Sequence, residues 1–244
     1  MPADVNPYIS QDHRTKNCTS CLARNHSLLN ELSFEELQIL NKDRYCISYK
    51  AGEIICKEGT KPLGLLCLNL GKVKITRNGA NGFHQIIALR KSGDFIGFRA
   101  LMGERSYVAS AIAIEDASIC VISKKNFFKV IKRNKLLSFK IIQFFVDELF
   151  EFDNRLIHLT QKHIRARLAE AILILYEFYG DFPDNGYLNV KLKRSDLAAL
   201  ANMNTANAIR VLSSFANEKL IDINKREIKI NDLKTLKDIS VFDK

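Results

Sequence analysis

The stretch Lys193-Arg-Ser-Asp-Leu-Ala-Ala-Leu-Ala-Asn-Met-Asn-Thr-Ala-Asn-Ala-Ile-Arg-Val-Leu-Ser-Ser-Phe215 decides how this chain is read. Its apolar residues recur at three- and four-residue steps on both sides of Asn202-Met203-Asn204, which predicts two short helices broken by a three-residue turn. Ser195 is placed to cap a first helix of Asp196 to Ala201, in which Leu197, Leu200 and Ala201 face a core. Ala198 is small enough to let a second helix cross closely. In the turn, Asn202 tolerates the left-handed conformation, Met203 can plug the core and Asn204 can cap the next helix. That second helix, Thr205 to Glu218, turns Ala208, Val211, Leu212 and Phe215 inward. It leaves Thr205, Ala206, Asn207 and Arg210 at its exposed N-terminal end, the part of a recognition helix that enters the major groove.

Downstream, Leu220-Ile-Asp-Ile223 and Glu227-Ile-Lys-Ile230, joined by Asn224-Lys225-Arg226, predict a two-stranded hairpin, so the unit reads as a winged helix-turn-helix. A short strand is expected at Tyr187 to Leu192. Double-stranded DNA is the expected partner, met by Lys193, Arg194, Ser195, Asn204, Thr205, Asn207, Arg210, Lys225 and Arg226.

Upstream, Ile164 to Tyr179 predicts a helix stopped by Gly180-Asp-Phe-Pro-Asp-Asn-Gly186. From Leu137, the residues Ile141, Phe144, Phe145, Leu149, Phe152, Leu156 and Leu159 continue a stripe at three- and four-residue steps along a long helix, a pattern suited to a homodimer seam, the alternative being a helix that lies on the core of its own domain. Nine of the eleven glycines lie between Gly52 and Gly103, punctuating short apolar runs such as Leu65-Leu-Cys-Leu68 and Val73-Lys-Ile75. Turn signals at that spacing predict a compact antiparallel β-roll. The expected class is α+β. An N-terminal arm (1–30) leads into the roll (31–134), followed by a long dimerisation helix (135–160) and the winged helix domain (161–244).

Composition sets the limits. With 47% hydrophobic and 26% charged residues and no apolar run of ~18 residues, no membrane span is expected. The first fifteen residues lack the apolar stretch of a secretion signal, so the expected location is the cytoplasm. A formal charge of +10 favours a polyanionic partner. From residue 161 onward, however, fourteen basic residues stand against eleven acidic, so the excess is not concentrated on the DNA-reading part. An enzyme is not expected. Gly59-Thr-Lys-Pro-Leu-Gly64 has the glycine spacing of a phosphate loop but continues with Leu65-Leu66 instead of Lys-Ser/Thr, and the five histidines are scattered. Six cysteines in a cytoplasmic chain read as reduced thiols, metal ligands or redox sensors sooner than as structural disulfides. Cys46, Cys56, Cys67 and Cys120, set among apolar residues, read as small buried hydrophobes.

The order of parts resembles the Crp/Fnr family of bacterial transcription regulators. Gly93-Asp-Phe-Ile-Gly97 is similar to that family's Gly-Asp-hydrophobic-hydrophobic-Gly segment, Tyr49-Lys-Ala-Gly-Glu53 and Lys57-Glu-Gly59 to its first strands, and Lys193 to Phe215 to its DNA-reading unit. The resemblance runs from about Leu32 to Leu236. It implies a cyclic nucleotide-binding-like roll, a homodimer on a two-fold-related DNA site, RNA polymerase as a further partner, and a signal sensed in the roll.

Against that pattern, Phe98 stands where cyclic-AMP-binding members have a Glu for the ribose. Arg105-Ser106 or Tyr107 occupies the place of the phosphate-holding pair. The effector pocket is expected at Gly97, Phe98, Arg99, Arg105, Ser106 and Tyr107, with a cyclic nucleotide disfavoured because each missing charge-assisted bond removes about 1.5–3 kcal/mol. No cofactor is assigned. In iron-sulfur members of the family, N-terminal cysteines and one at the end of the roll hold a cluster. Cys18, Cys21 and Cys120 match those places, whereas Ser27 stands where a third N-terminal cysteine would be. An iron-sulfur cluster or a zinc ion, with His13 or His26 as fourth ligand, would therefore rest on an incomplete thiolate set. The alternative function is a thiol or metal redox sensor acting mainly through protein interaction.

Overall fold

The computed structural model describes residues 17–79, 84–180 and 185–241. Among these, the chain divides into two compact units. The first takes the chain as far as Arg77 and resumes at Ile87–Val146; the second takes Asn78–Ile86 and the chain from Asp147 onward.

The first unit is the expected antiparallel roll. One sheet has the order β1 (Tyr45–Tyr49), β8 (Ala117–Ser123), β3 (Gly64–Leu70), β6 (Phe95–Ile96); the other has β2 (Ile54–Cys56), β7 (Ser110–Ala113), β4 (Val73–Asn78), β5 (His84–Arg90). Alternation along the strands explains the layers. Leu66, Leu68, Ile119 and Val121 point into one core with Val73, Ala111 and Ala113. Their neighbours Leu65 and Ile122 point the other way, into a second core with α1 (Phe34–Asn41), α3 (Lys124–Arg133) and the segment around Leu29 and Leu32. Ser33 caps α1 in a reciprocal capping box with Glu36, which fixes where that covering helix begins. A short helix α2 (Phe98–Met102) starts after Gly97, whose φ of +65° is open to glycine at little cost.

Helix α4 runs from Lys135 to Gln161. Here one expectation is corrected. Leu137 and Ile141 are buried in the roll's second core, with Phe144 and Phe145 packed against it, so the first half of the expected seam faces its own domain. The residues left uncovered are Leu136, Phe139, Ile142 and Val146, then Leu149, Phe150, Phe152, Leu156 and Ile157, each 45–65% exposed. The cause is that α1, α3 and the chain before them supply the cover that periodicity alone could not reveal.

In the second unit, α5 (Ile164–Tyr179) is the hub on which α6 (Arg194–Leu200), α7 (Thr205–Asn217) and α8 (Leu233–Val241) pack. The wing is β9 (Ile221–Asn224) paired antiparallel with β10 (Glu227–Ile230). The expected strand at Tyr187 to Leu192 is not formed. Tyr187 makes one isolated pairing with Lys229, then Val190 N–H bonds to the Leu188 carbonyl at 2.7 Å, a tight local turn that pulls the chain off the ladder. Leu188, Val190 and Leu192 are still buried, so alternation marks the inward face here without marking a ladder. No helix among the described residues is long and apolar enough to cross a membrane.

Candidate nucleic-acid interface and sensor recesses

The DNA-reading unit is built from the turn outward. Asn202 has a φ of +50°, Met203 is buried as its plug, and the Asn204 side chain accepts from the Asn207 N–H at 2.8 Å. These three roles are the ones the residue types favour. The cap of the preceding helix differs from expectation. Helix α6 starts at Arg194 with Lys193 at its N-cap and no side-chain cap bond, so Ser195 sits inside the first turn. The reason is that the Lys193 carbonyl already accepts from the N–H groups of Asp196 and Leu197, which begins the helix two residues early.

The recognition helix α7 buries Ala208, Val211, Leu212 and Phe215. Asn204, Thr205, Ala206, Ile209 and Arg210 are exposed, while Asn207 is half-buried and accepts from Arg210 Nη2 at 3.1 Å. Ile209 is an addition to the expected reading surface. It lies one step off the inward stripe and is 47% exposed, which places an apolar group beside Arg210 on the outer face. Its signal in the sequence is a β-branched apolar residue falling out of the 3.6-residue phase.

Helix α5 holds this helix in place. Arg165 donates to Ser214 Oγ at 3.0 Å, pairs with Glu218 and lies over the Phe215 ring, 4.7 Å from its centroid. Those bonds from Arg165 and Ser214 hold the Glu218 carboxyl below its ordinary range. Arg167 donates to the Asn202 carbonyl at 2.7 Å, and Arg155 of α4 to that of Leu200 at 3.2 Å, so arginines secure both ends of the turn.

Of the basic residues expected at DNA, Lys193, Arg210, Lys225 and Arg226 are exposed. Lys225 adopts a φ of +52° in a two-residue wing turn with Arg226. Arg194 is half-buried and donates to the Lys225 carbonyl at 2.7 Å, tying the start of α6 to the wing tip.

The roll carries two recesses. One, an open recess of about 470 Å³ counted with its mouth, is lined by Gly97, Phe98, Arg99 and Tyr107 of the expected effector set; exposed Arg105 and half-buried Ser106 lie outside its lining. Tyr107 is buried against Gly97 so closely that a Cβ there would meet the ring at 2.2 Å. Burial among Cys56, Tyr49 and Tyr45 pushes its phenol well up, and burial pushes the Cys56 thiol up to about 11, so this wall is neutral. Arg90 directs donors at the carbonyls of Phe95 and Leu89. Phe98, at the expected Glu position, reaches both the recess and α4, its ring 5.0 Å from each of Phe144 and Phe145.

The second recess, about 490 Å³, is lined by Cys18, Cys21, Cys67 and Cys120 together with Arg44. Cys67 reads in the sequence only as a buried hydrophobe. Strand register reveals its place: Cys46, Cys120 and Cys67 are consecutive partners across β1, β8 and β3 and share one face. Contrary to the expectation of reduced thiols, Cys46 and Cys120 are joined as a disulfide, their Cα atoms 4.1 Å apart. Ser27 donates to the Arg24 carbonyl and accepts from the Leu29 N–H, shaping the arm. His26 is exposed and outside the lining, and His13 lies outside the described residues. The residues do not fit a metal or cluster as they stand. Among the described residues no three His, Cys, Asp or Glu side chains converge on one point, and Cys120 is engaged with Cys46.

Comparison with known proteins agrees with both units. Residues 46–134 match the cyclic nucleotide-binding domain family and residues 166–239 the Crp-like helix-turn-helix domain. The chain is 25% identical over 193 residues to the cyclic AMP receptor protein of Thermus thermophilus, covering 79% of this chain and 86% of that one. It is 21% identical over 225 residues to the transcriptional activator protein FnrL of Cereibacter sphaeroides, covering 90% of each. The structure of FixK2 from Bradyrhizobium japonicum has the same fold, with a TM-score of 0.71 at 19% identity over 80% of this chain and 96% of that one. With a cyclic nucleotide-binding domain and a Crp-like helix-turn-helix matched in this order, and regulators as relatives across most of its length, the chain belongs to the Crp/Fnr family of transcription regulators, not to a family of enzymes.

Proposed function

We propose that this regulator is a homodimer that reads a two-fold-related site in double-stranded DNA and is controlled through its roll. The observation that carries the reading is the outer face of α7. Thr205, Ile209 and Arg210 project from a helix anchored by Arg165 and preceded by a turn held by Arg167, in the same unit as the basic wing turn of Lys225 and Arg226. Arg suits guanine, Asn adenine, and a methyl-bearing side chain the thymine methyl, so Arg210, Asn207 and Ile209 or Thr205 form a base-reading set. Lys193, Ser195, Asn204, Lys225 and Arg226 serve the phosphates.

The uncovered apolar face of α4 supports dimerisation, because nine large apolar side chains along one helix need a partner. In the roll, Tyr107 fills the place against Gly97, and Phe98 replaces a polar group with a ring that also touches α4. This supports an effector other than a cyclic nucleotide, with Phe98 passing its arrival to Phe144 and Phe145. RNA polymerase is the further partner that the family membership suggests, and the cytoplasm the location.

Selection of bound sequences from random DNA, with light scattering on the same preparation, tests the reading. The expected result is a dimer and two inverted half-sites about 34–36 Å apart. A monomer that enriches no sequence would overturn it.

A further inference from the structure

We propose that Cys46 and Cys120 form a peroxide-oxidisable dithiol site in the roll, with Cys120 the sulfur that meets the oxidant and Cys46 the one that closes the bond. The geometry supplies three parts. Cys46 and Cys120 are direct partners on β1 and β8, so the two sulfurs meet on one face without backbone movement. Arg44, at the entry to β1, donates from one nitrogen to both, at 2.9 Å to Cys46 and 3.2 Å to Cys120. A guanidinium stays charged, and its bonds strengthen when a sulfur carries negative charge, the state in which sulfur attacks and in which it leaves. Third, Cys120 lines the open recess while Cys46 does not. Both residues are less than 8% exposed and the recess walls are mostly apolar, which favours entry of a small uncharged oxidant such as hydrogen peroxide over a charged or bulky one.

The chemistry closes in two steps. The Cys120 thiolate attacks one peroxide oxygen, the O–O bond breaks, and the departing hydroxide takes the proton released from the thiol, leaving water and a sulfenic acid. The Cys46 sulfur then attacks Cys120 Sγ, an S–S bond forms, and the displaced hydroxide leaves as a second water with the proton of Cys46. Two thiols are oxidised and one peroxide is reduced. A dithiol reductant reverses this by two exchanges and is itself oxidised to a disulfide. Cys67 flanks Cys120 on the other side, but burial pushes its thiol well up, as burial raises that of Cys18, so these neighbours stay protonated and do not compete as nucleophiles.

The test uses the full chain, reduced anaerobically with dithiothreitol, desalted and given one equivalent of hydrogen peroxide. Non-reducing peptide mass mapping should find two thiols lost and a single Cys46–Cys120 link, with Cys18, Cys21, Cys56 and Cys67 still alkylated. Cys46→Ser should leave Cys120 as a sulfenic acid trapped by dimedone. Arg44→Gln should slow oxidation about threefold, the loss of thiolate from a one-unit change in its stability being partly offset by the higher nucleophilicity of a more basic sulfur. A link from Cys120 to any other cysteine, no thiol loss in the unaltered chain, or stoichiometric iron and acid-labile sulfide in the anaerobic protein would each overturn the proposal. Because the thiols are counted without DNA, failure here leaves the DNA-reading proposal standing.

Discussion

Arg210 Nη2 donates to Asn207 Oδ1 at 3.1 Å, one turn apart on the outer side of the recognition helix. The pair is local, an i to i+3 contact on one helix face, and Asn207 is itself fixed because its N–H bonds to the Asn204 cap. A guanidinium held this way has fewer rotamers to lose on binding.

Arg210→Ala should therefore cost about 1–3 kcal/mol on a selected site and little on random DNA. Lys225→Ala should weaken all sequences alike and reduce the salt slope by about one. Competition titrations at several salt concentrations measure both. Equal losses on specific and random DNA for Arg210→Ala would remove its base-reading role.

The uncovered face of α4 makes a prediction separable from folding. Phe139→Glu with Leu149→Glu changes two residues 56% and 60% exposed, so the monomer should keep its stability to within about 1 kcal/mol. Light scattering should show dissociation, and affinity for a two-half-site operator should fall because the half-sites are then bound independently. Leu137→Ala, buried in the roll, should instead cost about 2–5 kcal/mol in denaturant melts.

At Gly97 the adjacent ring sets the outcome. Gly97→Ala puts a Cβ 2.2 Å from Tyr107 at a φ of +65° and should destabilise the roll by about 1–3 kcal/mol. Adding Tyr107→Ala removes the steric part, so the double variant should lose less than the sum of the two single changes. Additive losses in a double-mutant cycle would show that the ring does not hold this position in solution.

Glu218 gives the packing of α7 on α5 a pH dependence. Its carboxyl is held below the ordinary value of 4.5 by Arg165 and Ser214, so the folded state binds fewer protons than the unfolded one through that range. The contribution is fully present above pH 4.5 and is lost as pH falls through the lower folded value. The pair is partly exposed, which keeps the effect to about 0.5–1 kcal/mol. Thermal melts of the unaltered chain and Glu218→Gln should differ at pH 7 and converge well below pH 4.5.

The turn and second helix between Lys193 and Phe215 are legible because their signals are local, whereas the start of α6 is not the one Ser195 suggests. Left-handed Asn202, plug Met203, cap Asn204 and the inward phase of Ala208, Val211, Leu212 and Phe215 each depend on residues a few positions away. Glycine punctuation likewise announced a roll. What only the tertiary structure decided depends on residues far apart in sequence. The first half of α4 belongs to the roll because α1 and α3 cover Leu137 and Ile141. Arg194 serves the wing because the chain returns to it 31 residues later. Above all, Cys46 and Cys120, 74 residues apart, become partners only through strand register, which places their sulfurs together beside Arg44. Periodicity gives the face a side chain occupies; which side chain lies opposite is fixed only when the strands pair.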